Sequence, residues 1–205
     1  MNDTENVLKK QPWYMIWFRV YFSPSVKTYR SILQTKETNL SRATLWVMVS
    51  TGIRVVFPLF LYWTSNQQIV HGDIRTAIRT PDEIGWIMYA ISGFLAVGFA
   101  SLIFPAVAYI VDWFAQRVGG IANADKLGFL MGAIWAPAGI VDTVSEGFLP
   151  PLIGQVLRFV VVLIEALLMI TSLRSANELS WGRATSLVVI PCVVILATVG
   201  IIWFS

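Results

Sequence analysis

Residues 152–173 read LIGQVLRFVVVLIEALLMITSL, an apolar run broken only by the charges Arg158 and Glu165 and a few small or polar residues. A helix of that length rises about 33 Å at ~1.5 Å per residue, enough to cross a hydrocarbon core of roughly 30 Å. The run therefore predicts a transmembrane helix. Similar runs follow on either side of it. A first extends from about Ala43 to Trp63, a second from a capping-box pattern at Thr80 and Glu83 to about Arg117, and a third, weaker one from about Leu127 to Val141, interrupted by Pro137 and Gly139. The run at 152–173 is the fourth, and a fifth spans about Arg183 to Phe204. The second is longer than a bilayer is thick, so it must tilt, kink at Pro105 or project beyond the membrane. Gly119-Gly120 and Pro150-Pro151 mark tight turns between runs.

The composition agrees: 56% of the 205 residues are apolar and 13% charged, too little polar surface to cover a soluble fold. The chain divides into an N-terminal segment, 1–42, and an all-α integral membrane domain of five helices, 43–205. Pro12 to Phe22 is bulky and contains Arg19, which argues against a cleaved signal peptide. The single cysteine, Cys192, lies in the last run, which excludes a disulfide framework or a cysteine metal cage. A net charge of +3, dispersed along the chain, excludes nucleic-acid recognition.

The run from Pro12 to Phe22 is too short to span and predicts an interfacial helix. Ser23 is expected to cap a second short helix, with Pro24 at its first position and its end near Gln34. Val26, Tyr29 and Leu33 share one face of it and Lys27 and Arg30 the other, an amphipathic pattern. Trp13, Trp17, Arg19, Lys27 and Arg30 are the candidates for docking this segment on the cytoplasmic face, on an anionic lipid surface or on a partner's cytoplasmic surface.

Orientation follows from the basic residues, which are retained on the cytoplasmic side. Seven precede the first span, and Arg117, Lys126, Arg174 and Arg183 flank spans two to five on the same side, eleven in all. The opposite side carries only Arg75 and Arg79. The N-terminus is thus expected in the cytoplasm and the C-terminus outside. Tryptophan prefers the headgroup level: Trp13, Trp17, Trp46, Trp113 and Trp181 fall at the inner boundary and Trp63, Trp86 and Trp203 at the outer one, with Trp135 alone in mid-span.

Three charges lie within spans: Arg54, Arg158 and Glu165. An unpaired charge there costs on the order of 3 kcal/mol or more, so each needs a partner or water. Arg158 and Glu165 are seven residues apart and share a helix face. By depth, Arg54 matches Glu165, while Arg158 lies nearer Asp142. These charges form internal pairs that fix helix register, or an ion or proton pathway, or contacts to a partner subunit. Asp142 and Glu146, at i and i+4, put two carboxylates on one face. Without a third ligand they read as a solvated helix end better than as a hard-cation site. Asp112 reads as a capping or snorkelling residue near the inner boundary. His71, the only histidine, excludes a histidine metal cage and reads as a loop residue. No nucleophile elbow, phosphate loop or dinucleotide fingerprint is present, so no catalytic, cofactor-binding or metal residues are assigned. Gly128, Gly132 and Ala136 form a small-residue stripe suited to close helix packing, as do Ala96 and Ala100, within the bundle or toward a second helix.

Phe22-Ser23-Pro24-Ser25 with Thr28-Tyr29 and Ile32-Leu33, then Phe114 through Gly119-Gly120, Pro137, and Leu179-Ser180 with Arg183-Ala184, follow one another in an order that resembles the Yip1 domain family of five-span membrane proteins. The resemblance rests on the order of short motifs across nearly the whole chain, and it implies a helical bundle with a cytoplasmic N-terminus. Eukaryotic members are associated with vesicle trafficking and Rab GTPases. The short N-terminal segment is more similar to bacterial members, which implies the inner membrane of a bacterium; Rab binding is therefore not carried over, and the family supplies no catalytic residues.

The expected function is that of a non-enzymatic accessory or organising subunit that binds other membrane components, meaning lipids and other membrane protein subunits or a second copy. The alternative is a small transporter or permeation pathway using Arg54, Arg158 and Glu165. A third possibility is a lipid-modifying enzyme with Asp112, Asp142 or Glu146 at the membrane face.

Overall fold

The structure is a computed structural model that describes residues 11–35, 38–65 and 83–204. His71, Arg75, Arg79 and the Thr80 half of the capping box lie outside the described residues, as do the side chains of Trp63, Trp86, Cys192 and Trp203. Among the described residues the fold is all-helical: α1 (Trp13–Phe22), α2 (Val26–Leu33), α3 (Leu40–Ser65), α4 (Glu83–Arg117), α5 (Ala124–Phe148), α6 (Pro151–Ala176) and α7 (Trp181–Phe204). Four of these helices are long and apolar enough to cross a membrane, over Leu40–Pro58, Met88–Arg117, Ala124–Phe148 and Leu152–Ala176. That architecture fits a multi-pass integral membrane protein.

Local chemistry sets the boundaries. Asn39 accepts the Arg42 N–H at 2.8 Å and opens α3. At the end of α4, Gly119 has φ +91°, and Gly120 N–H reaches Ala115 O at 2.9 Å while Gly119 N–H reaches Gln116 O at 3.0 Å. This Schellman closure needs the left-handed conformation that glycine adopts without strain. Pro150 and Pro151 lead into α6, where proline fits the first turn because that N–H has no helical partner. The cap of α2 differs from expectation. Ser25, not Ser23, accepts the Thr28 N–H, at 3.1 Å, since its extended backbone (φ −129°, ψ 151°) holds the hydroxyl over the first turn.

α5 is the central helix. The third run, expected to be short and broken, is 25 residues long and continues through Pro137 and Gly139. Its weak hydropathy has a packing cause: the small residues that lower it let α3 approach. A Cβ on Gly132 would stand 2.6 Å from the Ala43 Cβ and 3.0 Å from the Ala43 Cα, one on Gly128 would overlap the Leu40 Cδ1, and one on Gly139 would meet the Ser50 Oγ at 2.7 Å. Without water to drive apolar surfaces together, such close contact is what holds membrane helices. Ala136 is fully buried on the same helix. The contacts Leu40 to Gly128, Ala43 to Gly132 and Ser50 to Gly139 run in step, so α3 and α5 are parallel.

α4 runs antiparallel to both, with Gly93 against Val55 and Phe104 stacked edge-on against Trp135. It is continuous through Pro105 and largely exposed; Ala96 points outward, so the Ala96 and Ala100 pair is not an internal packing seam. α6 packs on the other side of α5, and α7 on α6. The bundle thus has a near end, where α3, α5 and α7 begin, and a far end, where Phe148 and Pro151 lie.

Candidate functional site: a groove over the central helix

α3 and α6 flank α5 and leave a groove above it. At its near half the groove is filled by the chain's own N-terminal segment. Ile16, Val20, Tyr29 and Ile32 are fully buried there, so both short helices turn an apolar face inward on the bundle; α1 carries apolar residues outward as well, whereas α2 presents Lys27 and Arg30. α1 lies on α5 and α2 on α6. Trp17 stacks edge-on against Trp46 of α3 at 5.9 Å, and Trp46 in turn meets Phe129 of α5 at 5.1 Å. The Tyr21 hydroxyl donates to the Ile134 carbonyl at 2.7 Å, and the Tyr29 hydroxyl to the Val20 carbonyl at 3.1 Å. Arg19 ties the two short helices together by donating to the Ser31 hydroxyl at 2.6 Å and to Gln11 at 3.0 Å. Trp13, Lys27 and Arg30 remain exposed. Of the five docking candidates, Trp17 and Arg19 are therefore spent largely on internal contacts.

Burial pushes the phenols of Tyr21 and Tyr29 well above their ordinary range. The Glu165 carboxylate adds to the effect at Tyr21, and Tyr21 adds to it at Tyr29. Both are neutral donors at any ordinary pH.

Among the described residues the far half of the groove is open and charged. Asp142 of α5, with its side chain only 12% exposed, holds Arg54 of α3 and Arg158 of α6 through the same oxygen, Oδ2; the Arg158 contact is 3.0 Å. Arg158 Nη2 also meets Glu146 Oε1 at 2.8 Å. Arg54 thus pairs with Asp142 and not with Glu165, because α3 runs parallel to α5 and brings residue 54 level with 142. Arg158 does meet Asp142. Asp142 and Glu146 do not form a solvated helix end but bind the two arginines. Spanning three helices, the four charges sum to zero.

Glu165 lies between the two halves, about 10 Å along α6 from Arg158. Among the described residues it makes no hydrogen bond or ion pair, although it is within electrostatic range of Tyr21, Asp142 and Arg54.

A second polar cluster sits at the near end. Asp112, 4% exposed, accepts the Asn123 N–H at 2.8 Å, the Gln116 amide at 2.8 Å and the Asn177 amide. Asn177 also donates to the Ile121 carbonyl at 2.8 Å, and its own carbonyl accepts the Ile121 N–H at 3.0 Å. Asp112 therefore staples the turn before α5 to the end of α6. Sequence reasoning placed it at a boundary but missed Asn177, for which a chain-local pattern carries no signal.

No family model, no curated protein and no solved structure matches this chain. Among the described residues no group of His, Cys, Asp and Glu is arranged to hold a metal ion.

Proposed function

We propose that this chain is a non-enzymatic integral membrane protein that binds another membrane component in the far half of the groove, as an accessory or organising subunit. The observation that carries it is the state of Arg54 and Arg158, whose side chains are 49% and 56% exposed although both lie within membrane-length helices. Charges so placed demand polar company that the chain supplies only in part.

The same proposal includes, from the family resemblance, a bacterial inner membrane, and it includes five spans, with α7 as the fifth, and a cytoplasmic N-terminus. Its support is the eleven-to-two division of basic residues and the 24-residue length of α7. The near end is then cytoplasmic, and α1 presents Trp13, Tyr14, Phe18 and Phe22 to the interface beside Lys27 and Arg30, a combination suited to anionic lipid. A Yip1-like relationship remains part of this proposal. Its support is that Gly119, Gly120, Leu179 and Arg183, drawn from distant motifs, meet in one place.

Val162 stands on the groove face between Arg158 and Glu165 and is 52% exposed. A photo-cross-linking residue at Val162 in native membranes should capture a lipid or a protein. Recovery of unmodified chain alone, under conditions where a lipid-exposed control residue on α4 reacts, overturns the proposal.

A permeation pathway is favoured by one observation: Glu165 makes no hydrogen bond or ion pair among the described residues. It requires water at that depth. Protection of a cysteine at Val162 from every charged aqueous reagent, on both sides of the membrane, would exclude it.

A further inference from the structure

We infer that the component bound in the far half of the groove is a phospholipid with a primary-amine headgroup, of the phosphatidylethanolamine type, held by Arg54, Arg158, Asp142 and Glu146. This inference deepens the proposed function and rests on it. Asp142 Oδ2 draws both guanidinium groups to one point. Each arginine spends only an Nη2 group on the carboxylates; the Nε and Nη1 groups of both have no hydrogen-bond partner among the described residues. Two half-exposed guanidiniums, side by side with donors unspent, form a cradle for an oxyanion with several acceptor oxygens.

Charge balance narrows the class. The four side chains already sum to zero, so an anionic ligand would leave one negative charge uncompensated within the bilayer, which is costly. A zwitterion leaves none. Its cationic end also has a place to go, because Asp142 Oδ1 and Glu146 Oε2 accept no hydrogen bond among the described residues. A primary ammonium brings three N–H donors to those oxygens, whereas a quaternary choline brings none.

Depth and surroundings point to a lipid over a soluble zwitterion. Asp142 lies six residues before the end of α5, about 9 Å, and Arg158 a similar distance inside the start of α6. The cluster is thus within reach of the headgroup level. Toward the centre the groove continues past exposed Val162, an apolar surface for an acyl chain.

The test uses the full-length protein, purified in detergent and stripped of lipid, with lipid retention read by native mass spectrometry. Phosphatidylethanolamine should be retained at a mole fraction about tenfold lower than phosphatidylcholine or phosphatidylglycerol of the same chains. Glu146→Gln touches only the half-exposed Arg158 contact and should leave the gel-filtration profile unchanged while abolishing the preference for ethanolamine over choline. Arg158→Gln should lose retention of all three. Equal retention of ethanolamine and choline lipids by the native protein overturns the inference, as does an unaltered preference in Glu146→Gln. Displacement of the lipid by inorganic phosphate at equal concentration would show a bare oxyanion site and overturn it too. A protein captured at Val162 with no lipid selectivity sinks this inference and leaves the broader proposal standing; no adduct of any kind sinks both.

Discussion

The two halves of α6 carry similar sequence and opposite surroundings. From Gln155 through Arg158 to Val162 its groove face is exposed, while Leu168, Ser172 and Ser175 further along are buried. Nothing in the run itself announces the change. It arises because α1 and α2 fold back over the near half and stop there, with Tyr21 reaching the Ile134 carbonyl about 15 Å into α5. A segment that composition assigns to the membrane surface is, on its inner face, core. The contrast between α5 and α4 has the same lesson: 61% of the α5 membrane window is buried against 11% of that of α4, although the buried helix is the less apolar one. In a bilayer, burial follows small residues and polar partners more than hydropathy.

The contrast between near and far halves can be broken from either side. Gly132→Leu should have the largest effect. The added side chain meets the Ala43 Cα and carbonyl, which are backbone and cannot yield, so the cost is about 3 kcal/mol or the loss of folded protein. A fluorescence-detected gel-filtration melting curve should show it. Asp142→Asn comes next. It leaves two neighbouring guanidiniums without their shared counter-charge, at about 1–2 kcal/mol once their partial exposure is allowed for, and it should loosen the far half while leaving α1 docked. Double replacement of Arg54 and Asp142 by glutamines should recover part of that loss; independent, additive effects would show that the pair does not act as one.

Tyr21→Phe sharpens the contrast with a smaller change, about 1 kcal/mol for one hydrogen bond to a carbonyl. Its effect should be confined to α1, read as faster backbone hydrogen exchange over 13–22 with α5 unchanged. The alkaline limb follows from the same residues. Tyr21 and Tyr29 titrate higher when folded than when unfolded, so above about pH 10 the unfolded chain has released protons that the folded one retains, and stability falls as pH rises. Tyr21→Phe should make that decline shallower. An unchanged slope would mean that Tyr21 is not buried.

Much of this architecture was legible in advance, for definable reasons. The long runs at 43–63, 83–117 and 152–173 declare helices because length and apolarity suffice, and the spacing of Tyr29 and Leu33 reveals the buried face of α2. The Arg158 to Asp142 contact followed from depth alone. Depth failed for Arg54 because it does not say which neighbour a helix has; the glycine stripe at 128 and 132, which brings α3 alongside α5, decides that. Pro137 misled because a proline removes one intrahelical hydrogen bond, yet a helix clamped by neighbours continues through it. The docking of α1 had no linear signal, since the pairs Trp17 with Trp46 and Tyr21 with Ile134 join residues far apart in sequence.

The central claim is that the N-terminal segment fills one half of the groove and that, among the described residues, nothing covers the other. Cysteines placed at Val20, which is fully buried on the inner face of α1, and at Val162, which is 52% exposed, test it directly. Cys192, the sole native cysteine, would be replaced by alanine, and the rates of labelling by a small maleimide in detergent compared. The Val162→Cys variant should react at least about tenfold faster than Val20→Cys, as expected for an exposed against a buried thiol. Equal rates at the two positions would contradict the claim, because α1 would then be lying free of the bundle.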